Sequence, residues 1–525
     1  MNRFTIFHYH LLPGGVTNVI LLGATALIRH YPDIKLLRLV CGNEENTDII
    51  RSRIEKEADV TGLTGESFKF EICIDPEIGY RSFNGKITSE EVKALGSKLL
   101  RQYGDSFWWV HNYQLGKNPV FTAAVTDIAR NNPKQLMLMH IHDFPECARY
   151  DNLEKLYSAG VKNPYPISDS AAYALINGRD EAILAEAGIP ADNLFLLNNP
   201  VEKDSGPAII SDNESNKLKS DFYSFYKSRF PAVNPEGKML FYPVRTIRRK
   251  NVFEAGLIAS VSEQPVNLIL SLPGVSLQEK KYSDLCEQSF LKGLIPGIWG
   301  SGTESSAAVP SYPQMLQLCD MIISSSVQEG FGYLFINSVQ LGVPLFARDL
   351  DILKGITDVF PPAHSCFYDS FMVPCTTGSA ELLKNRYHTK LKTLENYLSS
   401  TASEVISAII EKLGIGNTID YSFLPVEEQI TILENAAESE IFRKEIHALN
   451  KNLMENFYIQ LDRGRYSPDI DLNEFSLKTH SASVEKIINN LENKNRPGLQ
   501  MDNDIQQNLL DRFAEPQYMR LLYDY

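Results

Sequence analysis

Two short stretches carry the residue types that hold a leaving phosphate. PVRTIRRKN (243–251) ends an apolar run with four cations, Arg245, Arg248, Arg249 and Lys250. Arginine offers a planar fork matched to phosphate oxygens and lysine a compact charge, so the set suits a diphosphate leaving group. SSSVQEGFGYLFINSVQLGVPLFARD (324–349) sets Glu329 between a serine run and two glycines. Gly330, Phe331 and Gly332 open a helical stretch, where unpaired backbone N–H groups face anions. The Glu329 carboxylate can accept hydrogen bonds from sugar hydroxyls. Taken singly, a solvated helix start explains the cations and a favourable first-turn acid explains Glu329. The order strand, serines, Glu-Gly-Phe-Gly, helix, Gly-Val-Pro, strand is far more specific than any one of them.

The first half of the chain offers a second set. PGGV (13–16) lies between a strand and a helix, where Gly14 and Gly15 let backbone approach a ligand; a tight turn is the competing explanation. HNYQLGKN (111–118) follows the apolar SFWWV and offers His111, Tyr113 and Lys117. HIHDFPE (140–146) follows QLMLM in the same way and offers His142. Ordinary loop polarity is the alternative for these residues. His140 and His142 alternate along an extended strand, so one ring points each way, and no third ligand has zinc-like spacing. No metal and no cofactor are expected.

These residues need elements that hold them at one edge. FTIFHYH (4–10), IKLLRLVCG (34–42), SFWWVHN (106–112), QLMLMHIHD (135–143) and LFLLNNPV (194–201) read as strands. VTNVILLGATALIRHY (16–31) and PVFTAAVTDIARNN (119–132) have helical apolar spacing. The grammar restarts at KMLFYPV (238–244) and runs through VNLILSLPG (266–274), CDMIISSS (319–326) and VPLFARD (343–349). Strand–helix alternation argues for parallel sheets covered by helices, with ligands at the carboxyl ends of strands. The expected fold is α/β, with two Rossmann-like domains at 1–205 and 206–390 facing across a cleft. Residues 391–525 are expected to be a helical extension that packs on both domains or forms an oligomer contact.

Bulk properties bound the partners. The 525 residues exceed what one hydrophobic core serves, and 43% hydrophobic with 22% charged residues is ordinary for a soluble globular chain. A net charge of −14 without a basic block argues against nucleic acid and against strong attraction to anionic membranes. The seven cysteines form no Cys-x-x-Cys pair, which suits reduced thiols in the cytoplasm. The N-terminus is too short and polar for a signal peptide, and no run of about 18 apolar residues exists.

Together, PGGV, the Arg245-to-Lys250 spacing and SSSxxEGFGxxxxxxxxxGVP resemble the retaining glycosyltransferases of the GT-B fold, closest to glycosyltransferase family 4. The resemblance covers residues 5–385. It implies that Gly14 and Gly15 approach the donor phosphate and transferred sugar, and that Arg245 and Lys250, with Arg249 beside them, neutralise the diphosphate. It implies that Glu329 binds sugar hydroxyls beside the amides of Gly330, Phe331 and Gly332. His142 matches the family's histidine near the reacting carbon. The partners implied are a nucleotide sugar and a small-molecule or glycan acceptor, shaped by the loops 76–90 and 144–170, with no metal ion. Asn337 departs from the family, which has a second glutamate there for the ribose. A nucleotide-sugar epimerase and a scaffold without turnover are the rival readings; the first lacks placed acids and bases, and the second must explain the retained His142, Arg245, Lys250 and Glu329.

Overall fold

Runs such as FWWVH, MLMHI and AAYAL are apolar at nearly every position because the strands they form are covered on both faces, as in a parallel sheet flanked by helices. The computed structural model of the protein describes residues 1–63, 65–81, 85–202, 210–375, 377–392, 402–413, 417–467, 470–494 and 504–520. In the first domain, strands β1 (Arg3–Phe7), β2 (Leu36–Cys41), β3 (Lys69–Ile74), β4 (Phe107–His111), β5 (Met137–Ile141), β6 (Ala171–Leu175) and β7 (Leu194–Leu196) form one parallel sheet. Its order is β3-β2-β1-β4-β5-β6-β7. In the second domain, β8 (Lys238–Arg245), β9 (Val266–Leu272), β10 (Gly297–Ile298), β11 (Met321–Ser324), β12 (Leu345–Arg348) and β13 (Ser365–Tyr368) form another, in the order β10-β9-β8-β11-β12-β13. Both are doubly wound Rossmann-like sheets, as expected.

Two strands of the first sheet escape the sequence reading, as do β10 and β13 of the second. β3 (KFEICI) is an edge strand whose partly exposed residues mix charge with apolar groups. β6 (AAYAL) is alanine-rich, and alanine is depleted in strands. Other differences are local. Within the part expected as a helical extension, the helices Glu440–Leu449 and Lys451–Arg463 break at Asn450.

The chain beyond 390, expected as a helical extension packed on both domains or at an oligomer contact, is divided between two compact units. The first compact unit comprises Met1–Glu202 and Asp471–Ala514; the second takes the described residues from 210 to 470 and from 515 on. The reason is burial. The helix Leu477–Glu492 inserts Val484, Ile487, Ile488 and Leu491 into the first core beside Ile20, Ala24, Leu27 and Ile28. Without it the helix Gly15–His30, apolar over most of its surface, would face water. Asn450 in turn docks onto the second domain, exchanging hydrogen bonds of 2.8 and 2.7 Å with the backbone of Met372. Phe457 packs edge-on against Phe346 of β12, ring centroids 5.2 Å apart. The helix Thr377–Lys392 runs across the expected boundary at 390. The other expected boundary, 205/206, lies outside the described residues.

Among the described residues no helix is long and apolar enough to cross a membrane. All seven cysteines are free thiols.

Candidate active site

In the second domain the two phosphate-type motifs are one bonded unit. Arg248–Lys250 form a single helical turn after β8, and the Lys250 ammonium pairs with Glu329 Oε1. Arg249 Nη1 donates to Glu329 Oε2 at 3.3 Å and to the Gln328 carbonyl at 3.0 Å. Ser326 Oγ donates to Glu329 Oε1 at 2.6 Å and shares a 2.7 Å hydrogen bond with the buried Tyr242 hydroxyl. Ser325 Oγ donates to the Asn251 carbonyl at 2.9 Å. The serines thus tie the loop after β11 to the turn after β8. Burial by itself would raise the Glu329 carboxyl, but the Lys250 and Arg249 charges outweigh it and hold the group below the usual carboxylate range. Burial pulls the Lys250 ammonium down to about 8 in spite of Glu329.

The four cations do not share one role. Arg248 is buried and donates to the carbonyl of Leu424 at 2.9 Å, so it anchors the chain after 420 rather than facing a ligand. This corrects the grouping of all four at a phosphate. Arg245 ends β8, is nearly half exposed, and meets Glu279 at 3.5 Å. Beside it, a cavity of ≈ 700 Å³ is lined by Pro243, Ser271, Ser301, Ser306, Tyr312 and Gln314 among others.

The glycines divide as well. Gly332 caps the helix Tyr333–Gln340 at φ +81°, and a Cβ there would stand 2.4 Å from the Phe335 ring. Glycine at 332 is a requirement of the fold. Phe331 is buried, its ring edge-on to Tyr333. Asn337 sits on that helix, half-buried, and its side-chain amide has no hydrogen-bond partner among the described residues. In the first domain, Gly14 is extended (φ 173°) and exposed, and a Cβ on Gly15 would meet open space. Among the described residues nothing requires glycine at Gly14 or Gly15. Room is left for a ligand to approach the helix start.

Three histidines gather at the ends of β4 and β5. β5 ends at Ile141, and the His142 N–H donates to Asn112 Oδ1 at 2.8 Å where the chain leaves the strand. The His140 and His142 rings lie 4.2 Å apart on one side, because residues two apart along a strand face the same way; this corrects the expectation that they point oppositely. His111 supplies the third member: ligating nitrogens of His111, His140 and His142 all lie within 4.8 Å of one another. This corrects the expectation that no third ligand stands nearby. Their hydrogen bonds constrain what they can hold. His111 Nδ1 and His142 Nε2 share one bond of 2.9 Å, and the Trp109 indole N–H donates to His140 Nδ1 at 3.1 Å. Burial pushes both His111 and His140 well below the usual imidazole range, so both are neutral. With Nδ1 accepting, the His140 proton sits on Nε2 and that nitrogen is a donor rather than a lone pair. His142, down to about 4 through burial, is the member nearest solvent.

The remaining acceptor residues separate. Tyr113 is fully enclosed and its hydroxyl donates to the Pro164 carbonyl at 2.6 Å, which removes it from contact with a solute. His111 is likewise buried and reaches outward only through His142. Lys117 is half-buried over the Tyr80 ring, 5.3 Å from its centroid. Sequence reasoning gave no role to the supporting groups Tyr242 and Trp109, nor to Ser326 and Asn112 within the quoted stretches, all of which are recruited through space. The signal available was the density of His and Trp around 108–142.

Two parallel sheets with polar clusters at the carboxyl ends of their strands give this chain the α/β architecture of two Rossmann-like domains that GT-B glycosyltransferases have. It belongs to the glycosyltransferase family of the mannosylglucosyl-3-phosphoglycerate synthase of Petrotoga mobilis: the two are 30% identical over 545 aligned residues, with 100% of each chain covered. No family model matches the chain. Among solved structures, Anabaena Alr3699/HepE in complex with UDP shares 12% identity, covering 93% of this chain and 99% of that one, at a TM-score of 0.46. A glycosyltransferase from Rickettsia africae is similar at 12% identity, with 94% and 100% covered and a TM-score of 0.46.

Proposed function

We propose that this protein transfers a mannosyl group from a nucleoside-diphosphate sugar to a glycosylated 3-phosphoglycerate, with retention of anomeric configuration, in the manner of family 4. The observation that carries the reading is the likeness to a mannosylglucosyl-3-phosphoglycerate synthase along the entire chain. The bonded Lys250–Glu329–Arg249 cluster supports it.

Lys250 keeps two further N–H donors beyond its bond to Glu329, and with Arg245 it can neutralise the departing diphosphate without a metal ion. Glu329, held ionised by the same cations, accepts hydrogen bonds from sugar hydroxyls. The cavity beside Arg245 has the volume of a nucleoside site. The acceptor hydroxyl forms a bond to the anomeric carbon as the bond to the phosphate oxygen breaks, and its proton passes to that oxygen. No carboxylate nucleophile is needed, in contrast to two-carboxylate glycosidases. His142, neutral and at the solvent edge of its cluster, contacts the transferred sugar.

The test is incubation with UDP-, GDP- and ADP-linked mannose and glucose, with and without glucosyl-3-phosphoglycerate, followed by mass analysis. A hexose added to that acceptor is the expected result. Nucleotide binding with no added hexose on any phosphoglycerate glycoside would overturn the reading.

A further inference from the structure

Lys117 carries an ammonium that no described residue neutralises. It is half-buried, lies over the Tyr80 ring, and takes part in no ion pair or side-chain hydrogen bond among the described residues. Burial lowers its proton affinity, and the like charges of Arg149 and Lys155 lower it further, against the opposing pull of Asp143 and Asp151. Asp143 is already engaged by Arg149 at 2.7 Å. His10 also feels the Lys117 charge and meets the Tyr80 hydroxyl at 3.1 Å. Crowding an unpaired ammonium beside other cations while withdrawing it from water costs free energy, and an anion placed among them removes that cost.

The placement is that of a ligand seat. His10 follows β1, Tyr80 follows β3, Lys117 follows β4 and Arg149 follows β5, so all four stand at the carboxyl edge of one parallel sheet. The chain as a whole carries a net charge of −14 and repels anions, so a small acidic solute needs a local cationic patch.

We propose that Lys117, with Arg149 and His10 beside it, seats the acidic group of the acceptor, a phosphate or a carboxylate, and thereby selects anionic acceptors over neutral ones. The proposal rests on the function proposed above and deepens it by naming what reads the acceptor.

The experiment is calorimetric titration of 3-phosphoglycerate into the wild type, K117A and K117R, with the donor site filled by nucleoside diphosphate. Wild type and K117R bind, and K117A binds at least about tenfold more weakly, as expected for a lost charge-assisted contact. Titration with glycerol 3-phosphate and with glycerate tells which acid is held. In turnover, the ratio of kcat/KM for glucosyl-3-phosphoglycerate to that for neutral glucosylglycerol falls about tenfold in K117A. Equal binding by wild type and K117A, or none by wild type, overturns the seat. So does an unchanged ratio. The proposed function fails separately, if the wild type binds 3-phosphoglycerate yet adds no hexose to its glycosides. Should K117A fold poorly by thermal melting, K117Q takes its place.

Discussion

Lys250 and Glu329 lie 79 residues apart in the chain and form an ion pair across the second sheet, from the turn after β8 to the loop after β11. Arg249 and Ser326 bond the same carboxylate, so the charge cluster also staples two loops. Removing one member leaves its partner buried and uncompensated, which typically costs ~3–5 kcal/mol. Lys250→Met is expected to lower the melting temperature and abolish transfer. The double variant Lys250→Met, Glu329→Leu recovers stability without activity. Melting curves with a nucleotide-sugar turnover assay check both, and full activity in either variant would remove the cluster from the donor site.

Burial brings the Lys250 ammonium to about 8. The charged form neutralises phosphate and is present below that pH. The donor KM is therefore expected to rise as pH increases through about 8, while acceptor KM moves less. Donor KM measured from pH 6.5 to 9.5 tests this, and a flat profile would show that Lys250 does not meet the diphosphate.

Asn337 is half-buried, one turn into the helix that begins at Tyr333, and its side-chain amide is unengaged among the described residues. Asn337→Glu is expected to leave the fold intact and to change donor KM several-fold, since a carboxylate accepts ribose hydroxyls more strongly than an amide. Identical donor KM in wild type and variant excludes this residue from the donor site.

Ile488 is fully buried in the first domain's core although it lies in the C-terminal part of the chain. Ile488→Ala is expected to cost ~2–5 kcal/mol. A chain ending at 470 should lose the cooperative unfolding of its first domain. Calorimetry on both variants decides; an unaltered transition in the truncated chain would refute the division of the tail between domains.

Glu146 is buried, its carboxyl raised to about 7 by burial despite hydrogen bonds from Gln506 Nε2 (3.0 Å) and the Tyr165 hydroxyl (2.7 Å). A carboxyl raised in the folded state stabilises fully below its unfolded value, ~4.3, and that contribution is lost as pH rises through about 7. Melting temperature is expected to decline over this window in the wild type. In Glu146→Gln the decline flattens. Parallel declines in both would assign the pH dependence to another group.

The sequence by itself determined most strands of both parallel sheets, because doubly covered strands must be apolar runs, and the turn at Gly332, because a left-handed position against Phe335 excludes a Cβ. It marked Glu329 and Lys250 as candidates for one donor site while saying nothing of their bond. Only the tertiary structure decided which cation does what: Arg248 and Lys250 are two residues apart, yet one is spent on the Leu424 carbonyl and the other on Glu329. It likewise decided that Tyr113 turns inward, that His111 joins His140 and His142, and that Leu477–Glu492 completes the first core. Each of these depends on which segment, tens or hundreds of residues away, fills the space beside a side chain, and no local spacing encodes that.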